Sequence, residues 1–153
     1  RECLDSILNQ TFTDYEIIIV NDCSTDNTLN IINEYIKKDN RIKLINNSVN
    51  VGVGKCRIIG FNESVGEYIW YIDSDDYIVG DDLLERIMFD FFNDSSIDMI
   101  VFPYISESKI HRSRFFTPFI CDDKKCKEKV FQCDNFATIW NRIVKKEIYY
   151  KGV

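Results

Sequence analysis

Apolar residues in this chain follow two rhythms that alternate along its length. Residues 16–20 (Glu16-Ile17-Ile18-Ile19-Val20) and 68–72 (Tyr68-Ile69-Trp70-Tyr71-Ile72) are nearly unbroken β-branched and aromatic runs. Such runs predict strands covered on both faces of a parallel sheet. Shorter runs at 41–45 and 98–104 predict two more strands. Between them the spacing changes to three and four: Leu4, Ile7 and Leu8; Leu29, Ile32 and Ile36 with Ile31 and Tyr35 beside them; Leu84, Ile87, Met88 and Phe91. Each set lines one face of an amphipathic helix, the second over 28–38. Residues 53–64 also read as helix. Gly54 and Gly60 within it lower helix propensity and point to close approach of the backbone to the sheet or a ligand. Gly66 is expected to end that helix, and Asp81 or Asp82 to cap the next. Four helix–strand alternations predict an α/β fold, a doubly wound, mostly parallel sheet with helices on both faces, Rossmann-like.

The two long strands end in acid. Asp22 follows the first, and Asp73, Asp75 and Asp76 follow the second. Ligands of open α/β sheets bind at the carboxyl ends of strands, so chemistry is expected there. In an extended segment Asp73 and Asp75 point to the same side. Two such carboxylates make a hard, oxygen-only half-site that suits Mg²⁺ or Mn²⁺, whose remaining ligands are water and phosphate oxygens. The alternative is a solvated acidic turn ahead of the next helix.

Length and charge narrow the picture. The chain has 153 residues, a net charge of −6 and a sequence pI near 4.8. One domain is expected, and nucleic acid is excluded as the main partner because it needs a basic face. No apolar run approaches the roughly 20 residues of a membrane span. Six scattered cysteines fit reduced thiols of a cytoplasmic protein. Cys121, Cys126 and Cys133 with His111 match no paired zinc spacing. His111 lies in a basic polar segment and is expected in a loop. Residues 105–132 lose the rhythm and suggest a hairpin or loop over one sheet edge, and order is expected to return over 134–153. The chain opens inside a helix and without Met, so a preceding strand is expected to be missing, and the sheet edge so exposed predicts self-association as a homo-oligomer.

The motifs carry a more specific resemblance. Ser6-Ile7-Leu8-Asn9-Gln10-Thr11 precedes Asn21-Asp22-Cys23-Ser24-Thr25-Asp26-Asn27-Thr28. Then come Asn50-Val51-Gly52, Cys56-Arg57-Ile58-Ile59-Gly60, Gly66-Glu67-Tyr68-Ile69 with Asp73-Ser74-Asp75-Asp76, and Trp140-Asn141-Arg142-Ile143-Val144. In this order, across nearly the whole chain, they resemble the family 2 glycosyltransferases, inverting enzymes of GT-A fold that build cell-surface polysaccharides.

The resemblance implies roles. Asp22 accepts from the N3–H of a uracil or another base, and Asp75, helped by Asp73, holds Mn²⁺ or Mg²⁺ against the diphosphate. Arg57 places positive charge near the donor, or serves as a surface ion-pair partner; Asp26 opens the next helix or simply caps it. The implied donor is a UDP-sugar and the acceptor a carbohydrate or lipid-linked hydroxyl, at the cytoplasmic side, free or at the inner membrane face. Residues 1–104 are the nucleotide-sugar-binding core, and 105–153 the start of an incomplete acceptor-side region. The family's general base is expected beyond Val153, so these residues alone should bind nucleotide weakly and turn over poorly.

Asn21, Cys23 and Ile58 depart from the family's Asp, Gly and Asn; the first removes a charge expected beside the nucleoside. Other readings are a domain that binds sugar nucleotide or a partner chain without catalysis, a haloacid-dehalogenase-like phosphatase and a sugar-phosphate nucleotidylyltransferase. The phosphatase expects Thr or Val where Tyr77 stands and its motif near the domain start. The nucleotidylyltransferase expects a Gly-rich basic loop after its first strand, and none is visible.

Overall fold

β-Branched residues at 17–20 do form a strand, and the remaining elements follow in the expected alternation. In chain order they are α1 (Glu2–Leu8), β1 (Ile17–Asn21), α2 (Thr28–Ile36), β2 (Ile42–Asn46), α3 (Val53–Glu63), β3 (Tyr68–Trp70), α4 (Leu83–Asn93), β4 (Met99–Val101), β5 (Tyr104–Ser106), β6 (Lys109–His111), β7 (Arg142–Lys145) and α5 (Lys146–Tyr150). The computed structural model describes residues 1–102, 104–106, 109–111 and 141–150. They belong to two units, Arg1 with Thr13–Gly66, and Glu2–Phe12 with Glu67–Val153.

In the first unit β1 and β2 pair in parallel, from Ile17 opposite Ile42 to Asn21 opposite Asn46. Helix α2 makes the crossover and buries Ile32 and Tyr35, and Ile42 is buried at the start of β2. Gly60 of α3 faces β1 so closely that an added Cβ would lie 3.5 Å from Val20 Cγ2, whereas Gly54 has nothing within 4 Å. The close approach expected of these glycines is therefore real at Gly60 and is to the sheet. Helix α3 stops at Glu63 with Ser64 as its cap. Gly66 does not terminate it; its N–H and that of Val65 are accepted by Glu16 Oε1 at 3.1 and 2.6 Å. Glu16 Oε2 accepts from Lys43 Nζ at 2.7 Å. One carboxylate thus fastens the entry of β1 to β2 and to the end of α3.

The second unit holds a three-stranded sheet in which β7 lies between β3 and β4, antiparallel to both. The parallel pairing expected from the sequence holds for β1 and β2, and β7 adds an antiparallel strand that no local pattern announced. The apolar run at 68–72 supplies only three strand residues, Tyr68–Trp70. The run at 98–104 divides into β4 and the start of β5. Strand β5 pairs antiparallel with β6, placing His111 opposite Tyr104 in a hairpin rather than in a loop. Leu84, Ile87, Met88 and Phe91 form the buried face of α4, as their spacing requires. Phe91 meets the Tyr68 ring at a centroid distance of 4.3 Å, and Trp70 meets Phe102 edge-on at 4.8 Å. Cys121, Cys126, Cys133 and Trp140 lie outside the described residues. Among the described residues no helix is long and apolar enough to cross a membrane.

Candidate functional site

Asp22 stands just past β1 and is the centre of a converging set of donors. Its Oδ1 accepts from the Val51 N–H at 2.8 Å and from Asn47 Nδ2 at 3.0 Å, and its Oδ2 accepts from the Gly52 N–H at 2.8 Å. The turn that presents these donors needs Gly52, whose φ of +86° is a left-handed conformation that a side chain would strain. Those bonds, the Val51 N–H first, hold the Asp22 carboxyl down to about 2. It is an acceptor at any physiological pH. The Cys56 thiol beside it is pushed up, by burial first and then by its bond to Asp22.

Since the folded value of Asp22 lies below the ordinary carboxylate value, its bonds contribute stability above about pH 4 and are lost as pH falls through about 2. Amide exchange at Val51 and Gly52 should therefore remain slow down to pH 4 and accelerate below it. Exchange rates at those two amides that do not depend on pH in this window, after correction for intrinsic chemistry, would contradict the assignment.

Asn21 does not face outward as a neutral substitute for a nucleoside-binding acid. It is 4% exposed, and its Nδ2 donates to Asn46 Oδ1 at 2.6 Å, tying the ends of the paired strands. Cys23, in the position of the family's glycine, adopts φ +60°. A left-handed residue with a Cβ costs about 1 kcal/mol relative to glycine. Cys23→Gly is expected to raise stability by up to about that amount, read as a higher midpoint in urea. A lowered midpoint would show that the contact of its thiol with the Ser48 carbonyl at 3.7 Å outweighs the strain.

Asp26 accepts from the Thr28 N–H at 3.0 Å, at the first residue of α2, whose cap position is Asn27. Arg57 is half-exposed on α3.

In the second unit Asp73–Asp76 is not an extended segment. The Asp76 N–H donates to the Asp73 carbonyl at 3.0 Å, closing a β-turn with Ser74 and Asp75 at its corners. The direction of the Asp73 and Asp75 side chains is therefore set by the turn and not by strand alternation, because β3 has already ended at Trp70. Asp75 is exposed and Asp73 and Asp76 half-buried. Burial, then the charges of Asp75 and Asp73, push the Asp76 carboxyl up. A cation relieves like charge gathered around one carboxyl in this way. Among the described residues no three His, Cys, Asp or Glu side chains form a metal-holding group. A divalent ion held by Asp75 and Asp73 would thus draw its other ligands from water and a diphosphate, as Mg²⁺ and Mn²⁺ commonly do.

The segment after the turn is carried by α1 and the residues just beyond its end. Ser6 Oγ accepts from the Ile78 N–H at 2.9 Å, and Gln10 Nε2 donates to the Gly80 carbonyl at 2.7 Å. Gln10 Oε1 accepts from the Leu84 N–H at 3.0 Å and so caps α4. Asp82, the expected capping residue, makes no such bond and instead lies 3.6 Å from Arg86. Burial pushes up the Cys3 thiol, which donates to the Asp73 carbonyl at 3.7 Å. The sequence pattern assigns no role to Gln10 or Asn47. The signal for Gln10 was a polar residue within a recurrent motif at the end of an apolar helical face; for Asn47 there was only its place in a loop.

A parallel β-α-β pair, a sheet with an antiparallel insertion and an acidic turn after β3 define a GT-A glycosyltransferase fold. TarS from S. aureus, solved with UDP, superimposes with a TM-score of 0.78 at 24% identity, covering 99% of this chain and 44% of that one. A mannosyltransferase from Pyrobaculum calidifontis, solved with GDP-Man and Mn²⁺, gives a TM-score of 0.59 at 19% identity over 66% of this chain and 30% of that one.

The chain belongs to glycosyl transferase family 2, whose model matches residues 1–151. A poly(ribitol-phosphate) beta-glucosyltransferase of Bacillus spizizenii is 42% identical over 117 residues, which is 74% of this chain and 18% of that relative. The chain therefore spans less than a fifth of that curated relative's length.

Proposed function

We propose that this chain binds the donor for transfer of a sugar from a nucleoside diphosphate, a UDP-sugar first, to an acceptor hydroxyl with inversion, in the assembly of cell-surface polysaccharide at the cytoplasmic side. The observation that carries this reading is the acidic turn after β3, which gathers Asp73, Asp75 and Asp76 in one four-residue loop. Its oxygen-only chemistry fits Mn²⁺ or Mg²⁺, which when bound would neutralise charge on the leaving diphosphate. The fold neighbours solved with UDP, and with GDP-Man and Mn²⁺, support the same donor class.

Asp75, with Asp73, holds the ion. Asp22 is kept ionised at about 2 and can only accept, so it favours a base that offers an imino N–H, as uracil and guanine do and cytosine does not. Arg57 adds positive charge for the diphosphate. A carboxylate elsewhere in the whole enzyme deprotonates the acceptor hydroxyl, and a single displacement inverts the anomeric carbon. The acceptor is a carbohydrate or lipid-linked hydroxyl.

Calorimetric titration of UDP, GDP and CDP, with Mn²⁺ and with chelator, tests the reading. UDP or GDP binding that requires Mn²⁺ and exceeds CDP binding supports it. Binding by none of them, or equal binding of all three without metal, overturns it.

A further inference from the structure

Cys3 and Ser6 occupy positions i and i+3 on one face of α1, and Gln10 stands two residues beyond its end. These three side chains meet the acidic turn and the segment after it in chain order. Cys3 reaches the Asp73 carbonyl, Ser6 the Ile78 N–H and Gln10 the Gly80 carbonyl; one residue further on, the Thr11 N–H donates to the Asp81 carbonyl at 2.7 Å. The acidic turn is thus held by α1 and the residues just after it, at its first residue and again from the third residue beyond Asp75.

Gln10 does more than satisfy the loop. It is 4% exposed, and its one amide joins the Gly80 carbonyl to the first turn of α4 through Leu84. Ser6 also acts in both directions, accepting from Ile78 while its hydroxyl donates to the Cys3 carbonyl at 2.8 Å. A loop of irregular backbone carrying two exposed or half-exposed carboxylates has no ladder of its own to fix it. Its aim is set by whatever binds its backbone.

We propose that Ser6 and Gln10 are positioning residues of the metal half-site: through Ile78 and Gly80 they hold the acidic turn so that Asp73 and Asp75 present their oxygens to one divalent ion. This rests on the reading of Asp73 and Asp75 as the ion's ligands. Removing the partners that orient metal ligands commonly weakens metal affinity by about 10–100-fold.

Ser6→Ala tests it with little risk to α1, since alanine is the better helix former. In the full chain with saturating UDP, the free Mn²⁺ signal in electron paramagnetic resonance gives the Mn²⁺ affinity of the wild type, Ser6→Ala, Ser6→Thr, Gln10→Ala and Asp75→Ala. Ser6→Ala should bind Mn²⁺ about tenfold more weakly, with UDP binding in chelator unchanged. Ser6→Thr, which keeps the hydroxyl, should restore wild-type affinity. In the metal-free protein, amide exchange at Ile78 should accelerate in Ser6→Ala while that at Val51 does not.

Mn²⁺ affinity of Ser6→Ala within twofold of wild type overturns the proposal, whatever Gln10→Ala does. A loss in Ser6→Ala that Ser6→Thr does not restore also overturns it, because the hydroxyl is then not responsible. If Asp75→Ala alone loses Mn²⁺, only the positioning role fails; if Asp75→Ala and Ser6→Ala both bind as wild type, the donor-site reading falls as well.

Discussion

Asp75→Ala is expected to abolish Mn²⁺-dependent binding of UDP while leaving the protein folded. Asp75 sits exposed at a corner of the Asp73–Asp76 turn, so its side chain contributes no buried packing that alanine would remove. Its loss also relieves the like-charge pressure on Asp76, which makes a fall in thermal stability unexpected. The ion, in contrast, loses one of two full charges. At about 4 Å and an effective dielectric of about 20, each of the ion's two charges is attracted by about 4 kcal/mol, so even with half of that sum offset by desolvation the deficit is on the order of a thousandfold in affinity. The measurement is calorimetric titration of UDP with Mn²⁺ present, beside the same titration in chelator. Asp73→Ala should fall in the same direction. Unchanged Mn²⁺-dependent binding in both variants would remove the acidic turn from the donor-binding role.

Phe91→Ala should cost about 3–5 kcal/mol, the usual range for deleting a buried phenylalanine. Phe91 is 2% exposed, and its ring contacts the Tyr68 ring at the start of β3. The loss combines transfer of the ring with a cavity between α4 and β3 that a short helix of 11 residues cannot close by collapsing. A domain of this size has about 5–15 kcal/mol in total, so the variant should unfold at a far lower urea concentration. Chemical denaturation followed by far-ultraviolet circular dichroism reads this directly. A loss below about 1 kcal/mol would mean that this side of β3 is already loosely packed. The exposed neighbours Phe89 and Phe92, at 65% and 68%, supply the control: alanine there should shift the midpoint little.

The helices and strands were legible because their signals are local. An apolar face repeating at three and four residues can be buried only as a helix, and Leu84, Ile87, Met88 and Phe91 are buried as one. The acids at 22, 73 and 75 stood out for the same reason: each breaks a long apolar run at its end. The strand–turn boundary after β3 was not legible, because Tyr71 and Ile72 continue the apolar run although the pairing with β7 stops at Trp70. The cap position of α4 is legible at Asp82 but its capping bond is not, because the group that accepts the Leu84 N–H is Gln10, 74 residues earlier in the chain.

By itself the sequence determined the alternation of helix and strand, the family, and which carboxylates stand at strand ends, because hydrophobic period and motif order depend only on neighbouring residues. Only the tertiary structure decided how those carboxylates are used. Asp22 accepts from the Val51 and Gly52 amides about 30 residues away, Asn21 donates to Asn46, and the acidic turn and the segment after it bind Cys3, Ser6 and Gln10 about 70 residues earlier. The antiparallel entry of β7 between β3 and β4 was decided in the same way. Hydrogen bonds of this kind join groups whose chemistry is common and whose partners are distant, so nothing in the local pattern selects one partner over another until the chain has folded.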